Sequence, residues 1–236
     1  MIIIYDFDGT LTPYAFPQYE VLKMCGYDDG KMKALIAEIV KEKRIDLYEA
    51  YCEATFRILQ ENGIDKSDES IYRGADLVEF NRGVLKYFEK LSDPRIRHYV
   101  VTSGFEEYVK RTEIYPYLRG LIGTRMTFGA DSYNIDFLMK DETKVDAIKE
   151  ILSREKRDLS DCIYVGDGLT DRFAFEYVHN GGGEAIFLCD DEDDVNYREL
   201  KNRGIIDYKF DKSFEMDSLL MRHILSKIED FEPKKL

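Results

Sequence analysis

The chain has 236 residues, 44% of them hydrophobic and 34% charged, which is ample material for a core and far too apolar for an intrinsically disordered protein. Its 47 acidic and 34 basic side chains give a formal net charge of −13, a field that repels polyanions and argues against a dedicated nucleic-acid binder. The length allows one large domain or one domain carrying an insertion, and no run of about 18 uninterrupted apolar residues predicts a membrane span.

In chain order, the first element is Ile2-Ile3-Ile4-Tyr5, a short β-branched run that reads as a buried strand. It has no basic flank and meets an acid at Asp6, so it lacks the pattern of a signal peptide, and a cytoplasmic location is expected. The next strand-like run, His98-Tyr99-Val100-Val101, comes too late for a simple crossover. Much of the interval is helical in pattern. Met32, Leu35, Ile36, Ile39 and Val40 form one apolar stripe, and Tyr48, Tyr51, Cys52, Thr55, Phe56 and Leu59 form another; both predict bundle core rather than ligand contacts. Residues 14–80 therefore read as a helical insertion packed over the mouth of an α/β core made of residues 1–13 and 81–236.

Further on, helical spacing over residues 105–112, 144–152 and 171–178 alternates with strand-like runs at Cys162-Ile163-Tyr164-Val165 and Ala185-Ile186-Phe187-Leu188. That alternation predicts βαβ units and a Rossmann-like parallel sheet. Gly181-Gly182-Gly183 reads as a helix C-cap and turn, because it precedes a strand and a phosphate loop would follow one. The acidic run over residues 190–194 reads as a solvated loop. Four scattered cysteines, Cys25, Cys52, Cys162 and Cys189, lack any CxxC spacing and read as reduced core thiols.

In parallel sheets ligands lie off the carboxyl ends of the strands, so the polar tails of these runs are where chemistry is expected. The first tail is Asp6-Phe7-Asp8-Gly9-Thr10-Leu11-Thr12. Alternation along extended backbone puts Asp6 and Asp8 on one side, and two close carboxylates repel unless a cation lies between them, which invites a hard oxygen-loving ion such as Mg²⁺. The second tail, Thr102-Ser103-Gly104, offers a hydroxyl and backbone N–H groups to phosphate oxygens. A third, Gly166-Asp167-Gly168-Leu169-Thr170-Asp171, supplies a tight turn and two more acids. Four acids need compensation. Lys144 is the expected cation because it begins an apolar-periodic helix through Val145, Ile148, Ile151 and Leu152, whereas Lys140 reads as surface.

Together these anchors resemble the haloacid dehalogenase superfamily of phosphotransferases, whose four motifs correspond in order to the Asp6–Thr12 segment, Thr102-Ser103-Gly104, Lys144 and the Gly166–Asp171 segment. The insertion matches the position of a C1-type helical cap, as in phosphoserine phosphatase-like members. The resemblance implies hydrolysis of a small phosphomonoester through an aspartyl-phosphate, with neither nucleic acid nor membrane as partner. Asp6 would be the nucleophile and Asp8 the general acid and then base. Mg²⁺ would be bound by Asp6, the Asp8 carbonyl and Asp167, with Asp171 in support, while Ser103, the Gly104 amide and Lys144 would hold phosphate oxygens.

The match within the C1 group has gaps. Phosphoserine phosphatases carry a glutamate nine residues after the nucleophile, where this chain has Ala15, and their second motif continues with a further glycine, where this chain has Phe105. Both departures count against phosphoserine itself, with Glu20 as a substitute for the missing acid. Tyr14, Phe16, Tyr19 and Arg57 are candidates to line a cap pocket, to serve as cap packing or to lie at the surface. Two other readings stay open: a mutase of the same fold, and a receiver-like or scaffold domain that does not turn over. The retained Asp8 and the helical insertion argue against the second.

Overall fold

The computed structural model describes residues 1–13, 20–191 and 193–231. The N-terminal apolar run forms β1 (Ile2–Tyr5), followed by four helices, α1 (Glu20–Met24), α2 (Asp29–Lys43), α3 (Leu47–Glu61) and α4 (Asp68–Ile71). Then come α5 (Val84–Lys90), β2 (Arg97–Phe105), α6 (Glu106–Val109), β3 (Gly120–Phe128), β4 (Tyr133–Phe137), α7 (Asp141–Glu155), β5 (Cys162–Gly166) and α8 (Arg172–Asn180). The chain continues through β6 (Glu184–Leu188), α9 (Val195–Asn202), β7 (Tyr208–Phe210) and α10 (Leu219–Asp230).

The strands form one seven-stranded sheet in the order β4-β3-β2-β1-β5-β6-β7, parallel except at β4. β1 is the central strand, with Ile4 paired to Tyr99 on one side and Tyr164 on the other, so the ends of β1, β2 and β5 converge. Both faces are covered, which is why β1 is apolar at every position. Ile3 and Tyr5 pack with Val100, Val165 and Ile224 on one face, and Ile2 and Ile4 with Ile148, Ile151 and Phe175 on the other. This is the expected Rossmann-like α/β architecture.

Three strands lie outside the sequence expectations. β3 is diluted by Gly120 and Gly123, and β4 is an edge strand whose Asn134 and Asp136 face solvent; β7 is three residues long. None carries the apolar run of a buried strand. The helix expected over 105–112 shortens to the single turn α6, because β2 runs on to Phe105 and the chain turns where Thr112 Oγ1 donates to the Val109 carbonyl at 2.7 Å.

The helices between β1 and β2 have local causes. Asp28 caps α2 by accepting from the Lys31 amide, and Asp46 caps α3 by accepting from the amides of Tyr48 and Glu49. Arg44 ends α2 in the left-handed region at φ 57°, and the short connection lets α2 and α3 pack on each other. Both apolar stripes are largely buried there, with Ile36, Ile39, Cys52 and Leu59 at 1% exposure or less. No helix among the described residues is long and apolar enough to cross a membrane.

Candidate active site

Past Tyr5 the chain leaves β1, and the Asp6 amide donates to the Val165 carbonyl at 2.9 Å, which pins the first acid beside the end of β5. The turn closes by Leu11 and Thr12 amides donating to the Phe7 carbonyl. Gly9 sits at φ +83°, and a Cβ there would come within 2.3 Å of Asp167 Oδ2, so only glycine lets the two acidic loops approach. Gly166 plays the same part across the site, where a Cβ would lie 2.5 Å from Asp171 Oδ2.

The structure brings Asp6, Asp8, Ser103, Gly104, Lys144 and Asp167 onto one cavity of about 380 Å³, with α3 forming part of its wall. A larger cleft of about 590 Å³ lies elsewhere, against α5, and holds none of these residues. Lys144 is 1% exposed; its Nζ donates to Asp6 Oδ1 at 2.9 Å and to Asp171 Oδ1 at 2.7 Å. Asp171 also accepts from Tyr164 Oη at 2.6 Å, so it anchors the lysine and the sheet together. Helix α7 begins at Asp141, earlier than expected. The Lys140 amide donates to Thr143 Oγ1, and Lys144 ends up at the close of the first turn, facing the strand ends.

Burial shapes the charges. It raises the Asp6 carboxyl to about 7, against the pull of Lys144 and with the push of Asp171 and Asp167. Burial, and then the charge of Asp6, holds Asp8 well above the carboxylate range, a condition suited to a group that carries a proton. For Lys144 burial works against the charge, but Asp171 and Asp6 outweigh it and keep the ammonium well above its ordinary value. Asp8 Oδ1 and Ser103 Oγ are buried with no hydrogen-bond partner among the described residues. Buried polar atoms are normally paired, so these two, on residues that line the cavity, have hydrogen-bonding capacity left over.

Some expectations need correction. The Gly104 N–H already donates to Thr102 Oγ1 at 2.9 Å, so it is engaged within its own turn. That turn falls in the register break between β2 and β3, where an irregular strand re-aims its side chains. Lys140 is not a free surface lysine: its ammonium pairs with Asp46 at the start of α3 and lies 3.7 Å from Glu49. Arg57 does not line the cavity; its Nε donates to Glu53 at 2.7 Å and its Nη1 to Glu42 at 3.1 Å. Tyr14, Ala15, Phe16 and Tyr19 lie outside the described residues, as does the side chain of Glu20.

Sequence reasoning missed Lys212. Its Nζ donates to Asp167 Oδ2 at 2.8 Å and to the Gly9 carbonyl at 2.7 Å, bridging the two acidic loops. Thr10 Oγ1 donates to the other Asp167 oxygen at 3.0 Å. Lys212 follows β7 in an irregular stretch with no periodicity, so no sequence signal marked it. Also missed was a link between α3 and the core: Tyr48 Oη donates to Asp141 Oδ1, and Arg172 Nη1 to Asp141 Oδ2.

The donor set fits a divalent cation. Oxygens of Asp6, Asp167 and Asp171 lie within 4.8 Å of one another, all hard ligands. Among the described residues the carboxyl groups of Asp6, Asp167 and Asp171 meet the ammonium groups of Lys144 and Lys212, three acids to two cations, which leaves room for a further positive charge.

Among curated proteins no sequence matches the chain at a significant level. Solved structures do. A phospho-aspartyl intermediate analogue of phosphoserine phosphatase superposes with a TM-score of 0.64 at 20% identity, covering 96% of this chain and 97% of its own. A substrate-bound phosphoserine phosphatase complex gives 0.65 at 19% identity with the same coverages. A predicted phosphoglycolate phosphatase from Haemophilus somnus gives 0.56 at 14%, again covering 96% and 97%. At such identities these likenesses establish the fold. The family assignment comes from the sequence: the model of the haloacid dehalogenase-like hydrolases matches residues 3–176, and the chain belongs to that family.

Proposed function

We propose that the protein is a Mg²⁺-dependent phosphomonoester hydrolase that works through an aspartyl-phosphate on Asp6, with residues 14–80 as its cap. One observation carries the reading: a buried carboxylate held by a buried lysine shares a cavity with an unpartnered carboxyl oxygen of Asp8 and the unpartnered hydroxyl of Ser103. A nucleophile, an acid and a phosphate ligand are the three parts that phosphoryl transfer needs. The likeness in fold to phosphoserine phosphatases, one of them a phospho-aspartyl intermediate analogue, supports the same chemistry.

Lys144 holds one Asp6 oxygen and leaves the other for in-line attack on phosphorus. As the Asp6–phosphorus bond forms, the ester bond breaks and its electron pair leaves on the alcohol oxygen, which takes the proton of Asp8. Asp8, now a carboxylate, removes a proton from water; that water attacks phosphorus, the bond to Asp6 breaks, and phosphate is released. Ser103 and Lys144 bind the equatorial oxygens, where charge is spread in the transition state. Asp6, the Asp8 carbonyl and Asp167 would hold Mg²⁺, whose chemistry there is to neutralise charge on the phosphoryl oxygens.

The test is phosphate release from a panel of phosphoserine, sugar phosphates, nucleotides, pyridoxal phosphate and simple alkyl phosphates with Mg²⁺, run beside Asp6→Asn. Multiple turnovers by the parent protein and none by the variant are expected. A single equivalent of phosphate bound and never released would make the chain a receiver-like domain.

A further inference from the structure

The walls of the cavity bear on which ester is cleaved, an inference that rests on the hydrolase reading above. The volume of about 380 Å³ lies near the lower end of the roughly 300–1,000 Å³ common for small-molecule sites, so little beyond phosphate and one small group fits. Among the described residues the charged side chains lining it are Asp6, Asp8, Lys144 and Asp167, all assigned to the reacting end. Away from that end the lining is Leu47, Tyr48 and Tyr51 on α3, with Leu169, Thr170 and Asn196 from the core.

None of these wall residues is a cation. The basic groups nearby are engaged elsewhere: Arg172 with Asp141 and the Leu169 carbonyl, Lys140 with Asp46, Arg57 with Glu53 and Glu42, and Lys212 with Asp167. A carboxylate on the alcohol half would therefore be desolvated beside Asp6, Asp8 and Asp167 with no cation of the described wall to pair it. The tyrosines supply a different surface. Tyr51 is stacked on Phe105, with ring centroids 5.2 Å apart, and Tyr48 is tied to Asp141 through its hydroxyl, so both rings are fixed. Fixed aromatic rings receive a flat apolar group with little ordering cost.

We infer that the alcohol half of the substrate carries no second anionic group and presents an apolar, ring-like face, and that Leu47, Tyr48 and Tyr51 select it. Benzyl phosphate is a suitable probe because, like phosphoserine and phosphoglycolate, it is an alkyl monoester, which limits differences in leaving-group activation. With Mg²⁺ present, its kcat/KM is expected to exceed those of phosphoserine and phosphoglycolate by roughly tenfold or more, the range set by leaving a buried charge unpaired. Leu47 is 52% exposed at the first position of α3, so Leu47→Arg should fold, and its added cation should raise kcat/KM for phosphoglycolate relative to benzyl phosphate. If phosphoglycolate or phosphoserine is cleaved as well as benzyl phosphate, the inference is wrong and the hydrolase reading stands. An unchanged ranking in Leu47→Arg would remove α3 as the selector. Failure to hydrolyse any phosphomonoester would overturn the parent reading, and this inference with it.

Discussion

Replacing Lys144 by Met keeps most of the side-chain volume and removes only the charge that joins Asp6 to Asp171. The ammonium lies 2.9 Å and 2.7 Å from those carboxylates and is 1% exposed, so nothing in solvent can replace it. Removing one partner of a buried ion pair typically costs roughly 3–5 kcal/mol, and losing a preorganised cation at a reacting centre costs about 100- to 1000-fold in rate. The stability loss should depend on pH. Asp6 already has its folded value raised from 3.8 to about 7, and Lys144 is the group opposing that rise, so the variant pushes it higher still. A carboxyl group with a raised folded pKa loses stability as pH climbs from its unfolded value through its folded one, and the variant extends that window upward. Urea unfolding with chelator present should therefore show a larger deficit at pH 8 than at pH 5, and turnover with saturating Mg²⁺ should fall at least a hundredfold. Lys140→Ala is the control: its lysine is a third exposed and pairs at the surface, worth about 1 kcal/mol or less, with kcat retained. Turnover within tenfold of the parent for Lys144→Met, or an equal deficit at both pH values, would refute the reasoning.

Asp6→Asn should abolish turnover while stability stays level or rises at pH 8, with a ceiling of about 4 kcal/mol from a shift of 3.8 to about 7 at ~1.4 kcal/mol per unit; calorimetry with chelator checks it. Lys212→Met removes a positive charge from Asp167, so Mg²⁺ should bind more tightly at pH 8 while the metal-free protein loses stability. Weaker Mg²⁺ binding by titration calorimetry would show that Lys212 instead holds Asp167 in place for the ion. His98 is buried, bonded to Tyr5 Oη and the Leu91 carbonyl, and burial lowers it to about 4. Because the unfolded chain takes up that proton near 6.5, stability should decline by up to ~3 kcal/mol as pH falls from about 6.5 to about 4, and the imidazole should stay neutral by NMR at pH 5.

The reacting end of the cavity was legible because each part follows a distinctive local pattern. Asp6 and Asp167 are acids directly after buried β-branched runs, and Lys144 lies on a helix whose apolar period points it at the sheet. What pairs with these groups across the fold was not legible. Lys212 reaches Asp167 from a stretch with no repeat, and Tyr164 reads as one more strand residue until its hydroxyl meets Asp171. Arg57 was a candidate to line a cap pocket, yet its partners Glu53 and Glu42 lie on its own helix and on its neighbour α2. In the same way, β3 and β4 were hidden by glycines and by the polar face of an edge strand, features that burial patterns cannot mark.

The proposed mechanism requires phosphate to pass covalently through Asp6. Rapid acid quenching during turnover of a hydrolysed ester with Mg²⁺, followed by peptide mass spectrometry, measures this directly. A phosphoryl group is expected on the peptide that contains Asp6, on Asp6 itself, formed and lost at rates compatible with turnover and missing from Asp6→Asn. Steady hydrolysis with no phosphorylated Asp6, or with the phosphoryl group on another residue, would contradict it.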